Sequence, residues 1–367
     1  MSQAPAAQTR PATLGQAETS AQEVEARTQT LAALSVPRGR LGVLARTRRV
    51  LVTGGGGYLG RQVVAALAQG AQRVVSLDVR ELPGADRLPA VVYASADIRD
   101  RARIESLLHE HEIDTVVHLA AIVTPGRQSD REFEYQVDVV GTRNVLEACV
   151  AAGVGHVVIS SSGAAYGYHA DNPPWLHETD AIRGNEEFAY AWHKRLVEEM
   201  LAEYRQSAPQ LQQTIFRIGT ILGATVSNQI TALFEKERPL AIAGSRSPFV
   251  FVWDQDVVGV ILHALDGAPP GIYNVAGDGA LTIHQIAARM GKRCRVLPPA
   301  LLHAALWIGR RLALTQYGPE QLRFLRYRPV LANARLKEVF GYQPRMTSAE
   351  VFDFWWAARK TRGAGRP

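Results

Sequence analysis

A chain of 367 residues, 47% hydrophobic, is long enough for one large α/β domain with a cap or for two domains, and its apolar content is ample for a core. Its two cysteines, Cys149 and Cys294, lie far apart with no metal-ligand cluster beside them, which speaks against a disulfide framework or a zinc site and fits a reducing cytoplasm. The net charge of +6 is uneven: residues 1–49 carry 7 basic and 3 acidic groups and residues 291–367 carry 15 and 4, so residues 50–290 sum to −9 and a nucleic-acid surface is not expected.

Residues 1–47, rich in Ala, Gln, Thr and Pro with little apolar periodicity, read as a disordered tail. They lack an apolar signal core, and Glu18, Glu23 and Glu25 set them apart from a transit peptide. At Arg49 the pattern changes. Arg49–Thr53 is a short apolar β run, a glycine-rich turn follows, and Tyr58–Gln69 reads as a helix with Leu59, Val63 and Leu67 on one stripe. Glycines at 54, 57 and 60 permit a tight turn, close approach of the backbone to a pyrophosphate, and close helix packing, while the helix N-terminus offers unpaired amides to phosphates.

A second β run, Arg73–Leu77, ends at Asp78, eighteen residues after Gly60. An acid at this place binds the adenosine ribose hydroxyls and repels a 2′-phosphate, so NAD is expected over NADP, with Arg80 as the neighbour able to accept the extra phosphate. Further β runs follow at 91–93, 115–119, 156–160, 214–217 and 272–275, with helices near 100–110, 130–152 and 188–206. This alternation predicts an α/β fold built on a doubly wound parallel sheet.

On the helix near 188–206, Tyr190 and Lys194 stand four apart and share a face. At an ordinary pKa of about 10, roughly one phenol in a thousand is ionised at pH 7, and each unit of downward shift takes about 1.4 kcal/mol. A neighbouring cation supplies such stabilisation. The pair therefore reads as a proton-transfer site beside a dinucleotide, since oxidation of an alcohol needs a base for its proton while hydride leaves the carbon. A second stripe, Phe188, Trp192, Leu196 and Met200, lies on the opposite side, so both faces are expected to be buried, in the core or at a subunit interface.

Pro298–Gly309, followed by Arg310 and Arg311, is an apolar stretch too short to span a bilayer. A buried helix lining a hydrophobic pocket is the expected state, with a helix on a membrane surface as the alternative. His303 on it reads as packed or solvated rather than as a ligand. No metal site is expected.

Thr53-Gly54-x-x-Gly57-x-x-Gly60, His118–Ala121, Gly141–Ala148, Ser160–Gly167 and Tyr190-x-x-x-Lys194 together resemble the extended short-chain dehydrogenase/reductases, the NAD-dependent epimerase and dehydratase branch. The resemblance runs from about Arg49 to Ala280, with a weaker echo at Asn333–Pro344. It implies a Rossmann domain over 48–222, completed by about 250–276, and a smaller C-terminal substrate-binding lobe made of 223–249 and 277–360. It implies Tyr190 as acid/base, Lys194 as the residue that holds the nicotinamide ribose and lowers the tyrosine pKa, and Ser162, four residues before Tyr166-Gly167, as partner of the reacting oxygen. Such a serine steadies the charge that grows on that oxygen. Cofactor contacts are implied at Gly54, Gly57, Tyr58, Leu59, Gly60, Asp78, Asp97, Ile98, Leu119, Ala120 and Ala121, together with Tyr190 and Lys194. A small-molecule substrate and a homodimer formed through the Tyr190 helix are implied as well.

The chain also departs from the family pattern. Asp138 stands where the family often has Asn near the nicotinamide end. Arg217-Ile-Gly-Thr220 lacks the Asn, and Ser247–Phe251 the Arg, that serve the diphosphate in nucleotide-sugar members; Arg246 stands nearest to the second position. A nucleotide sugar is therefore not indicated. The expectation is an NAD-dependent oxidoreductase or epimerase/dehydratase acting at a secondary alcohol or ketone. A 3-beta-hydroxysteroid-dehydrogenase-like enzyme for a hydrophobic substrate is the alternative, and a non-catalytic dinucleotide sensor is the alternative of another class.

Overall fold

A computed structural model describes residues 42–123, 130–246, 248–312, 314 and 318–364. Most of the expected tail lies outside this range. Its last residues are ordered: Val43–Arg46 is a short helix with Ala45 fully buried, held where Asp266 accepts the Leu44 and Ala45 amides at 3.1 and 3.4 Å.

The chain order of strands is β1 Arg49–Thr53, β2 Arg73–Asp78, β3 Val92–Ser95, β4 Thr115–His118, β5 His156–Ser162, β6 Gln212–Ile218, β7 Thr220–Leu222, β8 Leu240–Ile242, β9 Phe251–Trp253, β10 Gly271–Val275 and β11 Arg295–Leu297. Seven of these form one parallel sheet in the order β3-β2-β1-β4-β5-β6-β10. All seven are the β runs read from the sequence, and the doubly wound architecture is the one they predict.

Alternation along each strand divides the apolar side chains between two cores. Val50, Val52, Val117, Val158 and Phe216 face one side, where Val63, Val64 and Leu67 of helix α1 (Tyr58–Leu67) cover them. Leu51, Val75, Val116, Val157, Ile159 and Ile215 face the other, under helices α2 (Arg101–Glu110), α3 (Gly141–Ala151) and α4 (Ala189–Ser207). Burial on both faces is why the parallel strands are near-continuous Val/Ile/Leu runs. Helix α5 (Asp254–Leu265) joins α1 on the first side.

The helix expected near 130–152 runs continuously from Arg131 to Ala151, with a π turn at Gln136–Val140 between Arg131–Tyr135 and α3. Beyond the sheet, β7 pairs with β9 and β8 with β11. An aromatic cluster packs there around Phe234, whose ring centroid lies 5.1–6.1 Å from those of Phe249, Phe251, Phe352 and Trp355.

The stretch expected to pack inside the cap forms helix α6, Pro299–Arg311, and none of its residues is buried. The expectation of a buried helix is overturned: among the described residues its outer side is exposed. Among the described residues no helix is long and apolar enough to cross a membrane, and no group of His, Cys, Asp and Glu could hold a metal ion.

Candidate active site

The order of the sheet reverses between β1 and β4, and the crevice at their C-terminal ends is where ligands bind in such sheets. At the end of β1, Gly54 adopts φ 67°, and a Cβ on it would stand 2.8 Å from the Ala120 amide nitrogen. The Gly57 amide closes the turn on the Gly54 carbonyl at 2.9 Å, and α1 starts after it with no side-chain cap. The first amides of α1 are therefore available to an anion. A Cβ on Gly60 would fall 2.0 Å from the Gly54 oxygen, so helix and turn approach too closely for any side chain.

Hydrogen bonds set the loop after β4. Thr53 Oγ1 accepts the amides of Leu119 and Ala120 at 3.2 and 3.3 Å and lies 2.7 Å from His118 Nδ1. The Thr142 hydroxyl donates to the Asp138 carbonyl at 2.6 Å, so it receives a proton from His118 Nε2 at 3.0 Å. His118 Nδ1 is then the acceptor for Thr53, and the ring is neutral. Burial and the nearby Lys194 charge push His118 from its usual 6.5 down to about 3, which agrees with that tautomer.

Asp78, at the end of β2, accepts the Gly56 amide at 3.0 Å and the Arg80 amide at 3.1 Å. It lines a cleft of about 100 Å³ with Gly56, Ser76, Arg80, Tyr93 and Ser95. Asp97 and Ile98 stand outside this cleft. Arg99 grips the Asp97 carboxylate at 2.6–3.1 Å and holds it below the usual carboxylate range. Ile98 is buried against Gly141, where an added Cβ would meet it at 2.7 Å. Leu59 packs on the core beneath α1, and the Tyr58 hydroxyl donates to Asp254 at 2.5 Å, tying α1 to the N-terminus of α5. Burial, reinforced by the Asp254 charge, raises the Tyr58 pKa.

Helix α4 brings Tyr190 and Lys194 to the end of β5. Lys194 is buried, its Nζ donates to the Ser160 carbonyl at 2.8 Å, and it lies 5.7 Å from the centre of the Tyr190 ring. Strand alternation sorts the three serines. Ser161 turns away, donating to Glu198 at 2.5 Å; Ser160 and Ser162 share the other face. Ser162 caps the 3₁₀ turn Gly163–Tyr166 by accepting the Ala164 amide at 3.1 Å.

Behind this face, Glu198 of α4 accepts a fork from Arg217 of β6 at 2.7–3.0 Å, and Arg217 also donates to the Tyr166 hydroxyl at 2.8 Å. Burial pushes the Tyr166 phenol up to about 12 against the pull of Arg217. Tyr166 is thus a packing and hydrogen-bonding residue.

Two features were not legible beforehand. His193, between Tyr190 and Lys194 on α4, pairs with Asp138 at 3.0 Å in the interior. Beside Tyr190, Tyr168, Phe188 and Phe324 pack edge to face at 5.0–5.1 Å around the Tyr168 ring, in one cluster with Tyr190 and Tyr327. Arg328 lies 4.1 and 4.2 Å from the centres of the Phe249 and Phe324 rings. The buried Nε atoms of Arg326 and Arg328 have no partner among the described residues. A cavity of about 470 Å³ adjoins Arg326, lined also by Glu187, His303, Arg323 and Tyr327 among others. The second stripe of α4 is only partly covered: Met200 is buried, while Phe188, Trp192 and Leu196 are half-buried.

Comparison with known proteins places this geometry. An uncharacterised protein of Mycobacterium tuberculosis is 27% identical over 316 residues, 84% of each chain. The UDP-glucose 4-epimerase of Erwinia amylovora is 31% identical over 214 residues, 55% of this chain and 60% of that one. Among solved structures, Thermus thermophilus UDP-glucose 4-epimerase in complex with NAD is 25% identical with a TM-score of 0.64, over 86% of this chain and 99% of that one. The Thermotoga maritima UDP-glucose 4-epimerase with UDP-glucose shares the fold at 19% identity and a TM-score of 0.67, over 86% and 99%. The model of the NAD dependent epimerase/dehydratase family matches residues 50–276, and with the glycine turn, the Tyr190–Lys194 helix and the seven-stranded sheet in place, the chain belongs to that family of extended short-chain dehydrogenase/reductases.

Proposed function

We propose that the protein is an NAD-dependent enzyme that moves hydride to or from a secondary carbinol carbon of a small molecule that also carries an anionic, acceptor-rich group. The observation that carries this reading is the anchoring of Lys194 by the Ser160 carbonyl beside the Tyr190 ring, at the C-terminal end of β5. NAD fits the residues present: the turn at Gly54 and Gly60 leaves no room for a Cβ, and the open amides of α1 and the Asp78 carboxylate suit a diphosphate and ribose hydroxyls. Bound NAD supplies the hydride acceptor.

In this reading the Tyr190 oxygen takes the carbinol proton, and the Lys194 ammonium offsets the negative charge that develops on it. The Ser162 hydroxyl donates to the reacting oxygen, its own oxygen already fixed by the Ala164 amide. The unpartnered Nε donor of Arg326, beside the cavity, supports an anionic substrate over a steroid-like one. The half-buried Trp192 and Leu196 support a homodimer through α4.

Replacing Tyr190 by Phe is expected to lower turnover by about a hundredfold to ten-thousandfold with NAD affinity near normal. Turnover retained in that variant would remove Tyr190 from the mechanism, and absence of turnover in the wild-type protein on every carbinol tested would favour a dinucleotide sensor. Denaturing the purified protein and weighing the released dinucleotide separates the two modes of the enzyme. Tightly held NAD points to hydride that leaves and returns within one turnover, and a site that exchanges NADH freely points to net redox.

A further inference from the structure

Helix α6 contributes His303 to a cavity wall and presents an apolar surface to solvent. Its half-exposed residues, Pro299, Leu302, Leu306 and Gly309, recur every three or four positions and mark the inner side. Leu301, Ile308 and Leu312 recur on a face about 120° round the helix, at 57%, 49% and 63% exposure, with the alanines 304 and 305 between them and Trp307 exposed at 52%. Of fifteen exposed large hydrophobic side chains among the described residues, six fall between positions 296 and 314. Single exposed apolar residues are ordinary, whereas a contiguous set on one helix marks a surface that something covers.

Charge identifies what covers it. Residues 291–314 hold five basic side chains and no acidic one. Arg310 reaches Glu320 at 3.2 Å, while the Arg311 guanidinium lies 5.4 Å from the Trp307 ring centre. A second copy of this chain would bring the same cations face to face, and like charges across an interface are unfavourable. A bilayer with anionic headgroups meets both requirements, taking apolar side chains below the headgroups and cations at their level. Thirteen residues of helix reach about 20 Å at 1.5 Å each, so the segment can lie in the interface and cannot cross it.

We propose that α6 is a peripheral anchor that seats the protein on anionic membranes, with Leu301, Ile308 and Leu312 inserted, Trp307 at the interface and Arg311 against lipid phosphates. His303, on the same helix, lines the cavity next to the Tyr190 cluster, so docking holds that cavity close to the lipid surface.

The test is sedimentation of the full-length protein with vesicles of phosphatidylcholine containing phosphatidylglycerol, against vesicles of phosphatidylcholine alone. Binding is expected only to the anionic vesicles, and raising the salt from about 0.05 M to about 0.5 M should release the protein. The double variant L301E/I308E changes exposed side chains only, so NAD binding should persist while vesicle binding falls by about tenfold or more. Absence of binding to anionic vesicles overturns the proposal, as does equal binding by L301E/I308E. Concentration-dependent self-association that the double variant abolishes, without vesicle binding, overturns it in favour of a second copy.

Discussion

His193 and Asp138 share a hydrogen bond of 3.0 Å in the interior, with side-chain exposures of 1% and 4%. The second Asp138 oxygen accepts the Ile122 amide at 2.8 Å. One carboxylate therefore ties the helix that carries Tyr190 and Lys194 to the loop that follows Ala121. Replacing His193 by Ala leaves that carboxylate with one partner fewer and a void, and is expected to cost about 3 kcal/mol of stability. Asp138→Asn keeps the shape and the Ile122 bond and should cost about 1 kcal/mol. Urea unfolding of both variants and of the double variant measures the coupling, and two additive changes would mean that the pair is not a unit.

In the proposed reading Asp78 bears on the choice of dinucleotide. Its carboxylate is fixed by the Gly56 amide and borders the cleft that also holds Arg80. Removing the charge in Asp78→Ala removes repulsion toward a 2′-phosphate, and the NADP-to-NAD affinity ratio is expected to rise by about tenfold to a hundredfold. Fluorescence titration of both reduced dinucleotides reads it, and an unchanged ratio would assign discrimination elsewhere.

Gly60→Ala places a methyl group 2.0 Å from the Gly54 oxygen, so α1 or the turn must move. NAD affinity should drop by at least about tenfold, with about 1–3 kcal/mol of destabilisation. Gly84→Ala is the matched control, since an added Cβ meets nothing within 4 Å there and both properties should stay near wild type.

Two buried histidines give the fold an acid limit. Burial lowers His118 from 6.5 to about 3 and His156 from 6.5 to about 4. Both rings are neutral in the folded chain, and the unfolded chain takes up their protons first. Stability is thus complete above pH 6.5 and falls as the pH drops from 6.5 toward 4, by up to about 1.4 kcal/mol per pH unit for each ring. Denaturant unfolding at a series of pH values checks the slope. His156→Gln, which removes the ring bonded to Thr214, should reduce it, and an unchanged slope would assign the acid limit to other groups.

The sequence by itself determined the sheet and the location of the crevice. Seven short runs of β-branched and aliphatic residues with helical patterns between them point to a parallel, doubly wound arrangement, and the glycines at 54 and 60 mark a turn where backbone and helix touch. The spacing of Tyr190 and Lys194 was equally legible, because helical neighbours four apart are a local matter. What only the tertiary structure decided rests on partners distant in the chain. Asp138 and His193 meet across 55 positions, Arg328 reaches the rings of Phe249 and Phe324, and Asp254 takes the Tyr58 hydroxyl from 196 residues away. The exposure of α6 belongs to the same class. Its composition reads as core, and whether an apolar helix is covered depends on which elements pack against it, which no local pattern records.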